Sequence, residues 1–279
     1  ARTVNQGGFA TVNVVRDVTL REYTIGVKSM LLERWQEIMA IYEITDAGAF
    51  GMLIEDPTDA VVTQANSGLL GFQNGVPLGV PGFGNGGPTY LLQRLFRAAG
   101  SSRVRGRDVT RLKGTPALYR NGVPVVLGAS AGNAAVSAGP STVTFIPDAT
   151  RTVTAVTPGA STQVTLATAM PGLIVGGLLW LQGLGGANAS LLNGRAHVVS
   201  AIAGSAYTLS TNTAGTTITA AGQGRFYPQP NETLTWAGGY YVPVQFVDDA
   251  IEWDLMRPGD YDDRLVAGPA IALREVREA

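Results

Sequence analysis

The sequence predicts a mostly β, α+β fold: a β-sandwich-like body with one helix and an inserted small β-barrel. Glycine accounts for 36 of the 279 residues, about twice its usual share of ~7%, which together with many Thr and Val residues favours short strands and turns. Helical periodicity occurs in one stretch, after Ser29. No acidic residue lies between Thr152 and Gly224. These observations predict a body made of 1–150 and 227–279, interrupted by an inserted barrel at 151–226.

The first part of the body reads as strand, helix and strand. Two strands are predicted at 9–15 and 18–26. Ser29 is a candidate N-cap for a helix of about 14 residues, which 45–48 end. An apolar stripe with helical spacing predicts its core face: Leu31, Leu32, Trp35, Ile38, Met39 and Tyr42. In a strand at 49–55, Phe50, Met52 and Ile54 alternate and are expected to point inward.

The middle of the body is rich in glycine and arginine. Residues 66–88 are predicted to be a glycine- and proline-rich loop, and 129–139 a linker of small residues. Asn121-Gly122 lies between two apolar runs and indicates a type I′ hairpin turn. A strand is predicted at 142–146. From 94 to 120 the chain carries eight basic residues and one acid, a net charge of 8 − 1 = +7.

Short apolar runs separated by glycine turns recur at even spacing through the insert. They predict four or five strands of a small barrel: Val153–Thr157, Gln163–Leu166, Leu178–Gln182, Ala196–Ile202 and Ala206–Leu209. His197, the only histidine of the chain, lies on one of them. It is interpreted as a structural or surface residue.

The densest run of strand-forming residues is 231–255. Gly238-Gly239 is interpreted as a turn between two strands, and the alternation of Val242, Val244 and Phe246 places them on one face. Pro243 cannot donate a hydrogen bond to a ladder, so the second strand is predicted to be an edge strand or to begin beside a bulge. Another element, or another copy of the chain, is expected to cover it.

The charge pattern favours a component of an assembly. Charged residues make up only 15% of the chain, and just two of its 20 basic residues are lysines. Arginine suits interfaces and ion pairs better than a freely solvated surface. Residues 245–279 carry four arginines and nine acids, 4 − 9 = −5, so the basic and acidic segments are expected to face each other within or between subunits. A net charge of −1 indicates neither nucleic-acid nor membrane binding, and the longest apolar run, 170–180, is too short to span a bilayer.

Three motifs weakly suggest a chemical site. Residues 82–87 match GxGxxG, but prolines spoil the preceding strand, so a plain loop is predicted. Residues 128–132 match the GxSxG element of hydrolases, with Ser130, Asp148 and His197 in the appropriate order. Because the histidine lies in the insert, a flexible linker is the preferred interpretation. The acids at 260–263 lack the spacing of a calcium loop. The sequence therefore predicts no catalysis, no cofactor and no metal.

Most of the chain outside the insert resembles the phage distal tail protein family, in the branch shared with gene transfer agents. The resemblance rests on four places: RDVTLREYTIGVKS with the following LLERWQEIMAIYEI and FGMLIEDPTD, GNGGPTYLLQRLFRAAGSSRVRGRDVTRLKGTPALYRNGVPV, YYVPVQFVDDAIEWDL, and IALREVREA. Gln245 departs from it, since arginine is common there in the family. The insert, with VTAVTPG, LNGRAHVV and AYTLS, is similar to a small β-barrel module found in phage tail proteins.

The resemblance implies a non-catalytic virion protein at the tail tip, assembled in the host cytoplasm. It would form a hexameric ring that joins the tail tube protein to the baseplate hub protein, with the insert projecting outward. The residues expected to form subunit contacts are Arg94, Arg97, Arg103, Arg105, Arg107, Arg111, Tyr240, Val242, Val244, Phe246, Asp248 and Asp249.

Two other functions remain open at this stage. The chain could be a glycan-binding tail accessory protein for host attachment, in which Trp180 of the insert contacts host sugar. It could also be an esterase acting through Ser130.

Overall fold

The computed structural model describes residues 2–4, 10–12, 20–25, 29–73, 76–248, 250–257, 264–268 and 270–277. The predicted fold class is confirmed: the chain is mostly β, with one α-helix in its described part and a closed six-stranded barrel. It divides into two compact units, Pro57–Tyr241, and Ala1–Asp56 with Val242–Ala279.

The elements follow one another along the chain in four groups. The first group is β1 (Arg2–Val4), β2 (Ala10–Val12), β3 (Glu22–Ile25), β4 (Met30–Leu31), α1 (Leu32–Ile44) and β5 (Met52–Ile54). The second is β6 (Val61–Val62), β7 (Ser67–Gln73), β8 (Val76–Leu78), β9 (Thr89–Arg97), β10 (Val104–Asp108), β11 (Arg111–Arg120), β12 (Val123–Val125), β13 (Ala134–Ala138) and β14 (Ser141–Phe145). The third is β15 (Ala149–Thr157), β16 (Gln163–Leu166), β17 (Leu178–Gln182), β18 (Arg195–Ala203), β19 (Ala206–Leu209) and β20 (Gln223–Phe226). The fourth is β21 (Leu234–Phe246), β22 (Asp254–Arg257), β23 (Leu265–Ala267) and β24 (Ile271–Glu275).

The unit of residues 57–241 contains two body sheets and the barrel. One sheet has the order β13-β14-β9-β7-β8, with β10 also paired to β9. In the other, β11 pairs with β12 and with the first part of β21. Trp236 joins the two sheets: it is fully buried, its backbone N–H donates to Ser67 Oγ at 3.0 Å, and its indole N–H donates to the Gln93 carbonyl at 2.9 Å.

The barrel closes in the order β15-β16-β19-β18-β17-β20. Three of the five strands predicted from the sequence have the observed bounds, and the other two are longer in the structure. The missed strand is β20, which closes the barrel by pairing with both β15 and β17. The interior of the barrel is apolar and largely inaccessible to solvent. Its fully buried side chains include Val164, Leu179, Leu181, Leu192, Val199 and Leu209. The division at 151 and 226 stays a prediction.

The unit made of 1–56 and 242–279 holds α1 and, in its described part, three sheet segments, of which β1 with β2 is the smallest. The last part of β21 pairs with β5 on one edge and with β24 on the other, and β24 pairs in turn with β3. β22, β23 and β4 form a separate three-stranded sheet. Tyr42 of α1 packs edge-on against Phe246 with ring centroids 5.2 Å apart. Asp56, buried in this unit, accepts hydrogen bonds from Arg21 and from the Tyr23 hydroxyl.

The helix α1 and the strand after it, β5, begin later in the chain than the sequence predicts. Ser29 does not cap α1: the helix begins at Leu32 after an extended Leu31, with no side-chain cap. Leu31 is 46% exposed because it belongs to β4, which pairs with β23. Phe50 is 61% exposed rather than inward, since a tight turn, in which the Phe50 N–H donates to the Thr45 carbonyl, delays β5 until Met52. Of the two strands predicted at 9–15 and 18–26, residues 10–12 and 22–25 are strands in the structure, and residues 9, 13–15, 18–19 and 26 lie outside the described residues.

Two segments predicted to be irregular contain strands. The predicted loop at 66–88 includes β7 and β8, and the predicted linker at 129–139 includes β13. In β7 glycine is a packing residue: a Cβ on Gly68 would lie 2.8 Å from the Gly82 nitrogen, and one on Gly71 would collide with the Asn85 side chain. The glycines of this segment therefore mark the close approach of neighbouring chain segments within a sheet rather than a loop.

The segment 240–246 is not an edge strand; a bulge does lie beside it, as the alternative prediction had it, and two other elements of the chain cover it. β21 is one continuous strand of 13 residues, and Gly238-Gly239 lies within it, where it faces a bulge of β11 between Lys113 and Ala117. Val244 pairs with Met52 of β5 on one edge and with Glu275 of β24 on the other. Pro243 is tolerated because it lies one residue beyond the β24 ladder, and its carbonyl still accepts from the Val276 N–H at 2.9 Å.

The barrel should depend on its apolar interior for stability. Leu181→Ala removes a fully buried side chain and should lower the free energy of unfolding by roughly 2–5 kcal/mol. Val175→Ala is the matched control, because Val175 is 58% exposed and should change stability by less than about 0.5 kcal/mol. Urea denaturation followed by tryptophan fluorescence measures both, and similar losses in the two variants would contradict a close-packed barrel.

Candidate interaction site

The arginines predicted as subunit contacts are concentrated on the β9–β10 hairpin. Tyr90, Leu92 and Leu95 of β9 are buried and anchor the strand in the body. Burial stops at Phe96, which is 37% exposed, and the hairpin then continues through an exposed turn to β10. Arg105 lies opposite Phe96 in the ladder, and Val104 lies opposite Arg97. The hairpin thus presents basic side chains where its apolar anchoring ends.

An open cavity of about 600 Å³ lies at this end of the hairpin. Four arginines line it: Arg94, Arg97, Arg103 and Arg105. The remaining lining consists of small, apolar or amide side chains, namely Ala65, Asn66, Leu95, Phe96, Ala98 and Ser101. Its described lining contains no carboxylate, so the arginines give it a positive charge. We call it the arginine cavity.

Arg94 is the fixed member of the set. Its Nε donates to Asp59 Oδ1 at 2.9 Å, and its Nη1 donates to the Leu95 carbonyl at 2.7 Å. The guanidinium carbon lies 4.7 Å from the centroid of the Phe96 ring, a cation–π distance. Asp59 offsets the charge of Arg94, which therefore shapes the cavity more than it charges it.

Arg97, Arg103 and Arg105 differ from Arg94 in being exposed and without a counter-ion. None of the three forms an ion pair with any residue that the structure describes. Each guanidinium can donate two parallel hydrogen bonds to one carboxylate or phosphate. The cavity is therefore suited to a ligand that carries several anionic groups.

The other predicted contact residues lie elsewhere. Arg107 is buried at 9% exposure, and Arg111 lies half-buried in β11. Tyr240, Val242, Val244 and Phe246 are at most 7% exposed and point into the chain's own core. Asp248 is exposed, while Asp249 lies outside the described residues. Among the predicted contact residues of this segment that the structure describes, only Asp248 is exposed to a partner.

Arg120, at the end of the basic segment, already has two acidic partners. Its guanidinium bonds Glu232 through Nε and Nη2 at 2.9 and 2.8 Å, and Asp148 through Nη1 at 2.8 Å. Burial lowers the pKa of Arg120, but the hydrogen bonds that its guanidinium donates to Asp148 and Glu232 outweigh burial and raise that pKa above its ordinary value. Arg94 and Arg120 thus pair with acids of their own unit, whereas the charge pattern predicted pairing with the acids of residues 245–279.

The three residues of the hydrolase motif have separate surroundings. Ser130 is exposed in a turn, Asp148 is held by Arg120, and His197 is 4% exposed. His197 Nε2 lies 2.9 Å from the Leu192 carbonyl and Nδ1 lies 2.7 Å from the Thr211 hydroxyl. A carbonyl can only accept, so Nε2 carries the proton and Nδ1 of the neutral ring accepts from Thr211. The ring contacts neither Ser130 nor Asp148.

The GxGxxG segment is a packing surface. A Cβ on Gly84 would lie 2.4 Å from the carbonyl oxygens of Pro228 and Gln229, and one on Gly86 would lie 2.5 Å from Leu178 Cβ in the barrel. Gly87 packs against Trp180. Trp180 itself is 7% exposed and packs edge-on against Tyr227. The glycan hypothesis requires an open ring face for a sugar to contact, and Trp180 presents none.

We also searched the described residues for metal sites and membrane-spanning helices, and compared the chain with known proteins. No group of three or more His, Asp or Glu residues in the described part of the chain is arranged to hold a metal ion, and the acids at 260–263 lie outside that part. No described helix is long and apolar enough to cross a membrane. Comparison with protein-family models and with curated proteins returned no match for this chain.

Two sets of residues were not predicted from the sequence: the acid that pairs with Arg94, and the exposed apolar side chains that follow β21. Asp59 fixes Arg94 from 35 residues away along the chain, a pairing that no local pattern announces. Trp253, Leu255 and Met256 are 47%, 48% and 63% exposed. Their signal was present in the sequence as apolar residues interleaved with acids.

His197 should make the stability of the barrel depend on pH. Burial lowers its pKa below the ordinary value of 6.5, so below that pH the unfolded chain takes up a proton that the folded chain resists. The free energy of unfolding should therefore fall as the pH drops from 7.5 to 5.5, and His197→Gln should remove most of that fall. Denaturation curves at both pH values measure it. Because the chain has no other histidine, an unchanged slope in the variant would contradict a buried neutral ring.

Proposed function

We propose that this chain is a structural, non-catalytic subunit of a phage tail. In this proposal it forms the hexameric distal ring that joins the tail tube protein to the baseplate hub protein at the tail tip. The resemblance of its body segments to the distal tail protein family supports the proposal. So does the architecture, in which a mostly β body carries an inserted barrel.

The observation that carries the proposal is the arginine cavity. Three exposed arginines share one open cavity and form no ion pair with the described residues. Their mutual repulsion is relieved only by solvent, salt or an anionic partner. Arginine is enriched at protein interfaces, and a contact between two different surfaces of identical subunits closes into a ring when its rotation permits.

The surroundings of the candidate catalytic residues also favour a structural role. Asp148 is engaged in an ion pair, and both ring nitrogens of His197 have partners inside the barrel. In the proposed function these residues stabilise the body and the barrel, and no reaction is assigned to them.

Assembly should be observable with the purified chain. Native mass spectrometry and negative-stain electron microscopy, alone and with the tail tube and hub proteins, should show six-fold rings. Cross-linking in the native particle should connect the ring to both neighbours. A chain that stays monomeric with and without these proteins, at concentrations up to the micromolar range, would contradict the proposal.

The arginine cavity should control that assembly. Arg103→Glu should weaken ring formation by about tenfold or more, because a hydrogen bond to a charged group contributes roughly 1.5–3 kcal/mol. Arg195→Glu is the matched control, since Arg195 is exposed on the barrel and does not line the cavity. Equal effects of the two substitutions on the monomer–ring equilibrium would show that the cavity plays no special part.

A further inference from the structure

The segment that follows β21 has an unusual surface. Asp248, Glu252 and Asp254 are exposed, and none of them forms an ion pair with a residue in the described part of the chain. Large apolar side chains alternate with them: Trp253, Leu255 and Met256 are each about half exposed or more. We call Asp248 together with residues 250–256 the acidic segment.

The local structure of the acidic segment leaves it open to a partner. All four residues of β22 are exposed. In the described sheet β22-β23-β4, β22 is an outer strand that pairs only with β23. Outer strands with exposed apolar side chains favour association with another chain. Trp253 contacts Trp35 at a centroid distance of 6.4 Å, which holds its ring at the surface.

The acidic segment and the arginine cavity are complementary in charge and in apolar content. The segment has three carboxylates and the cavity has three arginines besides Arg94. All six side chains are exposed, and none forms an ion pair with a described residue. The cavity also exposes the apolar Phe96 and Ala98 beside its charges, as the acidic segment exposes Trp253 and Leu255. Because none of the six charges is paired with a described residue of its own chain, a second chain can supply the missing partners.

We propose that the acidic segment of one copy of this chain docks into the arginine cavity of the next copy. The inference rests on the proposed function and names the two surfaces of the subunit contact. Such a contact joins different patches of identical chains, so it propagates head to tail and can close into a ring. Carboxylates of the segment accept bidentate hydrogen bonds from the arginines, and Trp253 offers a ring face to a guanidinium.

Protein carboxylates fit the cavity better than a nucleic acid does. Phe96, the only aromatic side chain among the described residues that line the cavity, already lies under Arg94, so it offers no stacking platform for bases. The net charge of the whole chain, −1, gives no long-range attraction for a polyanion. A second copy of the chain, in contrast, brings carboxylates and apolar side chains together on one segment.

A charge exchange between full-length chains tests the proposal. The basic-to-acidic variant carries Arg97→Glu, Arg103→Glu and Arg105→Glu; the acidic-to-basic variant carries Asp248→Arg, Glu252→Arg and Asp254→Arg. Each alone should associate at least about tenfold more weakly than the parent chain, since like charges then face each other. An equimolar mixture should restore association, because every contact again joins opposite charges. Native mass spectrometry should show equal numbers of the two variants in each assembly.

The mixture also guards against misfolding, since a variant that regains association must be folded. A pair of single-cysteine variants, Arg103→Cys and Glu252→Cys, adds a direct measurement: the chain has no native cysteine, so oxidation should link only one variant to the other. Arg195→Cys with Glu252→Cys is the control and should not cross-link.

The possible outcomes separate this inference from the proposed function. Parent rings that persist in both triple variants would overturn the docking inference and leave the ring intact. The parent chain could instead form only dimers that do not close into a ring. If each triple variant loses these dimers and the mixture regains them, the result would support the docking and overturn the ring. Binding of a labelled single-stranded oligonucleotide that the arginine substitutions abolish, with association unchanged, would assign the cavity to nucleic acid and overturn the docking.

Discussion

The pairing of β21 on both of its edges is the constraint on which the rest of the structure depends. Its 13 residues supply alternate buried side chains from Leu234 to Phe246. The first part carries β11 and β6, and the last part carries β5 and β24. The strand is therefore closed to another chain on both edges at Gly239 and at Val244, where two partner strands pair with it. The backbone of β21 is committed to its own chain at these positions, and the exposed charged side chains lie on other elements.

The sequence was most informative where side-chain period and backbone conformation agree. The barrel strand β16 alternates between polar and apolar residues, and Asn121-Gly122 adopts positive φ at both positions, as a type I′ turn requires. It was least informative at glycine. Gly68 and Gly84 lie where another backbone approaches within contact distance of their missing Cβ, and one glycine in a sequence does not reveal whether its neighbour is solvent or a carbonyl.

The candidate site was predictable in composition and unpredictable in geometry. The cluster of arginines is visible in the sequence, but their division into paired and unpaired members depends on acids distant in the chain. Asp59 takes Arg94, while Asp148 and Glu232 take Arg120. Those pairs remove charge from the middle of the body and leave the excess at the end of the β9–β10 hairpin. A count of +7 over the segment therefore overstates the charge available to a partner.

Arginine rather than lysine at these positions matters for what the cavity can bind. A lysine ammonium is compact and strongly hydrated, whereas a guanidinium is planar, weakly hydrated and able to hold a carboxylate in a fixed orientation. Three such groups around one opening define the direction of an incoming acidic chain as well as its charge. A salt-screened point charge would tolerate many orientations of the neighbour. An oriented contact instead repeats the same rotation from copy to copy, and this repetition is the physical requirement for a ring that closes.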